Sequence, residues 1–131
     1  MGNKRPTAVA YTDIHFNRWP QFWKSNEKTR LEWTKEAHNE ILKVAVKLKV
    51  PSIFCGDMFH DAKKLGNELI SDTFPHFDRW YGNNGPVREY AISGNHDQCK
   101  NNFIENPSDS YVKTLSNILP KFTCIDLRYV D

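Results

Sequence analysis

The chain has 131 residues, 39% of them hydrophobic and 26% charged, with a net charge of +2. That suits one soluble domain able to bury roughly two thirds of its unfolded surface, and it excludes a repeat protein or a disordered polymer. No apolar run approaches the ~20 residues of a membrane span, and Met1-Gly2-Asn3-Lys4-Arg5-Pro6 is not followed by an apolar stretch of signal-peptide length, so the expected location is the cytoplasm.

The first expected strand, residues 7–12, runs into Asp13-Ile14-His15. An aromatic loop follows, Phe16-Asn17-Arg18-Trp19-Pro20-Gln21-Phe22-Trp23-Lys24. Its rings suit plugging the sheet edge, with stacking on bases as the alternative. From Lys28 to Lys49 the spacing of Leu31, Ile41, Leu42, Ala45 and Leu48 predicts a helix. Ser25 or Asn26 is its expected cap and Pro51 stops it. His38 falls on the apolar face and reads as a buried histidine.

Ser52-Ile53-Phe54-Cys55 is a short apolar run ending in Gly56-Asp57-Met58-Phe59-His60-Asp61. It suits a buried parallel strand with an acid at its carboxyl end, where ligand sites of open α/β sheets collect. Cys55, Cys99 and Cys124 are too scattered for a disulfide framework. Cys55 reads as a small apolar filler and Cys99 as incidental. A second helix spans Lys63 to Tyr81, which Pro75 is expected to kink or split, and His76 beside it reads as a surface residue. Gly82-Asn83-Asn84-Gly85-Pro86 is a turn, and the strand Val87–Ser93 leads into Gly94-Asn95-His96-Asp97. Pro107-Ser108-Asp109 opens a third helix with Tyr111, Val112, Leu115, Ile118 and Leu119 on one face. Pro120 ends it, and Phe122–Leu127 is a fourth strand. The expected fold class is α/β, β-α-β-α-β-α-β with a mainly parallel sheet.

Carboxylate, imidazole and amide oxygen suit Mn²⁺, Fe²⁺, Zn²⁺ or Mg²⁺ rather than a thiolate-selected metal. Asp13 and His15, two apart on a strand, would point the same way and clasp one ion, with Asp57 arriving from the neighbouring strand. Asp-x-His, Gly-Asp and Gly-Asn each occur by chance in turns. All three at the ends of expected strands point to a metal centre.

Asp13-Ile14-His15, Gly56-Asp57 and Gly94-Asn95-His96-Asp97 resemble the first three signature motifs of the calcineurin-like metallophosphoesterases. Gly56-Asp57-Met58-Phe59-His60-Asp61 is similar to the DNA-repair exonuclease branch, whose SbcD-like nuclease works with an SMC-type ATPase. The Asp-Ile-His-Phe-Asn and Trp-Pro-Gln-Phe runs look like its phage-type members, for which the compartment would be the host cytoplasm. The resemblance implies a β-sandwich flanked by helices, of which this chain supplies the first half, and two divalent metal ions, Mn²⁺ foremost. It implies Asp13 and His15 on the first metal, Asp57 bridging, Asn95 on the second, His96 assisting the leaving oxygen and Asp97 orienting His96. His60 lies close enough to hydrogen-bond a ligand or touch substrate. DNA is the implied substrate, with an SMC-type ATPase and a second copy of the chain as partners. A phosphoprotein or small-phosphoester phosphatase and an inactive binding module are the alternatives. The family's two downstream histidine motifs have no counterpart, since the sequence holds no histidine after His96. The expectation is therefore a truncated domain with an incomplete second site.

Overall fold

The computed structural model describes residues 2, 4–17, 29–60, 66–94 and 110–125. Seven elements alternate along them: β1 (Val9–Tyr11), α1 (Arg30–Leu48), β2 (Ser52–Phe54), α2 (Asn67–Tyr81), β3 (Glu89–Ala91), α3 (Tyr111–Ile118) and β4 (Phe122–Cys124). The strands form one sheet in the order β1-β2-β3-β4, each pair parallel, with Val9 opposite Ser52, Ser52 opposite Glu89 and Glu89 opposite Phe122. The expected α/β alternation is the architecture of the chain.

Right-handed crossovers between strands laid down in chain order gather every helix on one side of a sheet. Burial follows that rule. Tyr11, Phe54, Ala91 and Cys124 are buried towards the helices, whereas Ala10, Ile53 and Thr123 on the other face are exposed and Tyr90 is half-buried. Cys55 is exposed, contrary to the filler reading, because the two-residue strand period puts it with Ile53 on the outward face.

On the helical side Phe16, Phe54, Phe59, Phe77, Tyr81 and Phe122 are at most 2% exposed. Each buried aromatic of this kind stabilises the fold by about 2–3 kcal/mol. Phe16, first ring of the aromatic loop, is thus core; Trp19, Phe22 and Trp23 lie outside the described residues.

Helix α1 begins later than the sequence suggested. Its cap is Thr29, in a capping box where the threonine side chain accepts from the Glu32 amide at 3.2 Å and Glu32 accepts from the Thr29 amide at 2.8 Å. The box satisfies two amides that would otherwise be orphaned, while Ser25 and Asn26 lie outside the described residues. Leu31, His38, Leu42 and Ala45 are buried on one stripe, but Leu48 is 41% exposed. The helix ends at Lys49 in a left-handed conformation, φ 55°.

Helix α2 runs through Pro75 as one helix, so the split is not made. Pro75 and Ser71, whose carbonyl loses its partner, are both on the exposed side, where water can take the bond. The same helix buries His76, which is not the surface residue expected. In α3, Val112 and Leu115 are buried, as is Leu119 at its C-terminal cap, and Ile118 is 55% exposed. Its cap is Ser110; residues 107–109 lie outside the described residues. No described helix is long and apolar enough to cross a membrane.

Candidate metal centre

Beyond the last residues of β1 and β2 the two chains stay paired. The Asp13 amide donates to the Gly56 carbonyl at 3.0 Å, His15 to Asp57 at 3.1 Å and Phe16 to Met58 at 2.8 Å, closing with a parallel bridge between Phe16 and Phe59. Within this zipped segment Asp13, His15 and Asp57 have φ of 57°, 54° and 61°, and Gly56 has φ 116°. Left-handed conformations cost non-glycine residues roughly 1 kcal/mol or more each and cluster at functional sites. Asp13 and His15 therefore do not meet through strand alternation, as the sequence suggested. Both lie past β1, and two left-handed turns bring their side chains together.

The result is a group in which ligand atoms of Asp13, His15 and Asp57 all lie within 4.8 Å of one another. Ligands at about 2.1 Å in tetrahedral or octahedral arrangement stand roughly 3.0–3.4 Å apart, so side-chain movements on the order of 1–2 Å close the group on one ion. The donors are two carboxylates and an imidazole, the set preferred by Mn²⁺, Fe²⁺ and Zn²⁺. His15 Nε2 sits 3.3 Å from Asp13 Oδ1. A proton holds that contact now, and a cation between the atoms would take its place. The residues present fit a divalent cation.

His60 stands on the other side of His15, with the two Nδ1 atoms 3.4 Å apart and the ring centroids 5.6 Å apart. Its amide donates to the Phe16 carbonyl at 3.1 Å, fixing it to the ligand loop. The third motif reaches the group through Gly94. A Cβ built there would overlap Asp57 Oδ1 and lie 2.6 Å from Asp57 Cγ, so only glycine permits β3 to end against this carboxylate. Asn95, His96 and Asp97 lie outside the described residues, as does Cys99.

Beneath the group lies a buried polar network that periodicity did not reveal. Tyr11, two residues before Asp13, donates to Glu89 Oε1 at 2.6 Å. Its oxygen lies 2.8 Å from His38 Nε2, and His38 Nδ1 lies 2.7 Å from His76 Nε2. One proton assignment satisfies the chain: His76 donates to His38, His38 to Tyr11 and Tyr11 to Glu89. Tyr81 joins at 3.2 Å from the Tyr11 hydroxyl, and Ser52 donates to Glu89 Oε2. The network ties β1, β2, β3, α1 and α2 below the ligand residues. Burial pushes the Glu89 carboxyl up to about 7, against the hydrogen bonds from Ser52 and Tyr11. It pushes the His38 imidazole down, and His76 down to about 4 with help from Lys35 and Arg79. A Glu isolated in the strand motif Arg88-Glu89-Tyr90 was the signal available in sequence, since its side faces inward with Ala91.

No family model and no curated protein matches the chain, so motifs and geometry carry the functional reading by themselves.

Proposed function

We propose that this chain belongs to a metal-dependent phosphodiesterase acting on DNA. The observation that carries the reading is the convergence of Asp13, His15 and Asp57 at the carboxyl ends of adjacent parallel strands, each in a left-handed conformation. Catalytic groups of open α/β sheets belong at that edge. The preference for DNA rests on the resemblance carried by Gly56–Asp61 and Gly94–Asp97.

A divalent cation bound here would supply Lewis-acid polarisation of the phosphoryl group and an acidified water. The chain's own residues do the rest. Asp13, His15 and Asp57 would hold that cation, and the resemblance adds Asn95 for a second one. His60 fixes the ring orientation of His15 through the nitrogen that points away from Asp13. His96 delivers a proton to the leaving oxygen, for which imidazole is suited near neutral pH, and Asp97 orients it.

Calorimetric titration with Mn²⁺ and hydrolysis of bis-p-nitrophenyl phosphate, on the wild type and on Asp57→Ala, test the proposal. Mn²⁺ binding and diester hydrolysis that both disappear in Asp57→Ala are expected, with end-labelled DNA cut under the same conditions. A wild type that binds no Mn²⁺, or a variant that keeps both properties, refutes it. Preference for a phosphomonoester over DNA would turn the reading to a phosphatase.

A further inference from the structure

Among the described residues the two ends of the parallel sheet carry different groups. At the carboxyl pole stand Asp13 and Asp57, with Glu32 and Glu68 in the first turns of α1 and α2. The other pole gathers the strand starts: the Ser52 amide donates to the Arg88 carbonyl at 3.0 Å and the Glu89 amide to the Lys121 carbonyl at 2.8 Å, so Arg88 and Lys121 are neighbours there. Two shallow depressions open at this pole and share Val46 and Pro86 as a common wall. One, of about 400 Å³, takes Lys43, Lys47 and Arg79 into its lining; the other, of about 410 Å³, takes Lys49 and Arg88. Neither lining contains an acidic residue. Among the described residues the ion pair in these walls is that of Lys43 with Glu40, at 2.7 Å.

This clustering exceeds what the chain's total charge of +2 requires. Two of the cations are placed by the folding of neighbouring elements: Lys49 is the left-handed cap of α1 and Arg79 lies over the Trp80 ring, 5.5 Å from its centroid. Trp80 is 5% exposed and capped by Arg79, and the half-buried Tyr90 is the other ring in the lining, against Lys43, Lys47, Lys49, Arg79 and Arg88. Phosphates rather than bases are what such a lining recognises.

We propose that this groove binds the sugar-phosphate backbone of a nucleic acid, without sequence readout, at the pole opposite the metal centre. The choice of nucleic acid over an acidic protein rests on the phosphodiesterase reading given above. Helix α1 is about 28 Å long, with Glu32 in its first turn and Lys43 and Lys47 in its last two turns, which sets the groove away from the carboxyl pole. The groove therefore holds a stretch of polymer distinct from the one at the metal centre. Without a cation Asp13 and Asp57 repel phosphate, so chelator weakens binding at the metal centre and lets the groove be read.

The test is fluorescence anisotropy of a labelled DNA duplex in excess EDTA, across a salt series. It compares the wild type with Lys47→Gln/Arg88→Gln and with the charge-matched control Lys35→Gln/Lys113→Gln. Lys47 and Arg88 are exposed and Lys35 and Lys113 half-buried, Arg79 is left to cover Trp80, and thermal melts verify folding. The groove variant is expected to bind roughly tenfold to a hundredfold more weakly at 0.1 M salt, with the slope of log K against log salt reduced by about 1.8. The control is expected to stay near wild type. Absence of wild-type binding, or equal losses in both variants, overturns the groove; equally tight binding of poly-glutamate overturns the nucleic-acid assignment. Because no metal is present, failure here leaves the hydrolysis reading standing, and failure of Mn²⁺-dependent hydrolysis leaves this binding to be read separately.

Discussion

Replacing Gly94 by alanine should disable the metal centre while leaving the fold standing. Gly94 is not in the left-handed region, unlike Gly56 with φ 116°, so alanine meets no backbone penalty there. The obstacle is space. The new Cβ would overlap Asp57 Oδ1 and lie 2.5 Å from the Asp57 backbone nitrogen, so the Asp57 backbone together with its carboxylate must retreat by roughly 0.9 Å or more to reach an ordinary contact of 3.4 Å. Metal–ligand distances tolerate about 0.2 Å, so a retreat of that size removes Asp57 as a ligand. Losing an outer hydrogen-bond partner already costs roughly 10–100-fold in metal affinity, and losing a ligand should cost at least about 100-fold. The overpacking itself should destabilise by about 1–3 kcal/mol. Mn²⁺ calorimetry, paired with thermal melts in EDTA, reads the two effects apart. A Gly94→Ala protein that binds Mn²⁺ within threefold of wild type would refute the steric reasoning.

Two further outcomes follow from the buried network and the first helix. Glu89, raised to about 7, keeps its proton in the fold after the unfolded chain has released it near 4.5, so its stabilisation is complete below 4.5 and is lost as pH rises through 7. His76, lowered to about 4, works the other way: its contribution is present above 6.5 and lost as pH falls towards 4. Each spans on the order of 3 kcal/mol, and His38, lowered by burial as well, adds to the His76 side, so urea midpoints of the wild type should rise between pH 5 and 7. Glu89→Gln should gain on the order of 2 kcal/mol more than the wild type over that range, and parallel profiles would contradict this. Thr29→Ala breaks the capping box and should cost about 1 kcal/mol in urea denaturation; an unchanged midpoint would show that the cap contributes nothing.

The alternation of strands and helices was legible because each apolar run is short, is bounded by Gly, Pro or polar residues, and is followed by a helical period. Boundaries were less legible: β1, β3 and β4 each form three ladder residues where the sequence allowed six or seven, and past β1 the chain leaves strand geometry at Asp13 and His15 while staying hydrogen-bonded to the extension of β2. Asp13, His15 and Asp57 were named from sequence spacing, but the left-handed path that joins them was not. No pattern of residue types encodes φ at an aspartate. His76 was misplaced because Pro75 drew attention to a break that solvent on the exposed side makes unnecessary. The network of His38, Tyr11, Tyr81 and Glu89 escaped notice because its members come from four elements separated by up to 78 positions, a relation that only tertiary packing creates.

The backbone ladder that continues past β1 and β2 has a consequence for how a cation is taken up. Since the Asp13, His15 and Phe16 amides are already bonded across to β2's extension, the loop entropy of assembling the ligands is lost when the domain folds, not when the ion arrives. The centre is preorganised, in contrast to small zinc domains whose folding is driven by the metal. Chelation should strip the ion and leave secondary structure intact, and the intrinsic affinity of three donors should appear undiminished by any ordering cost.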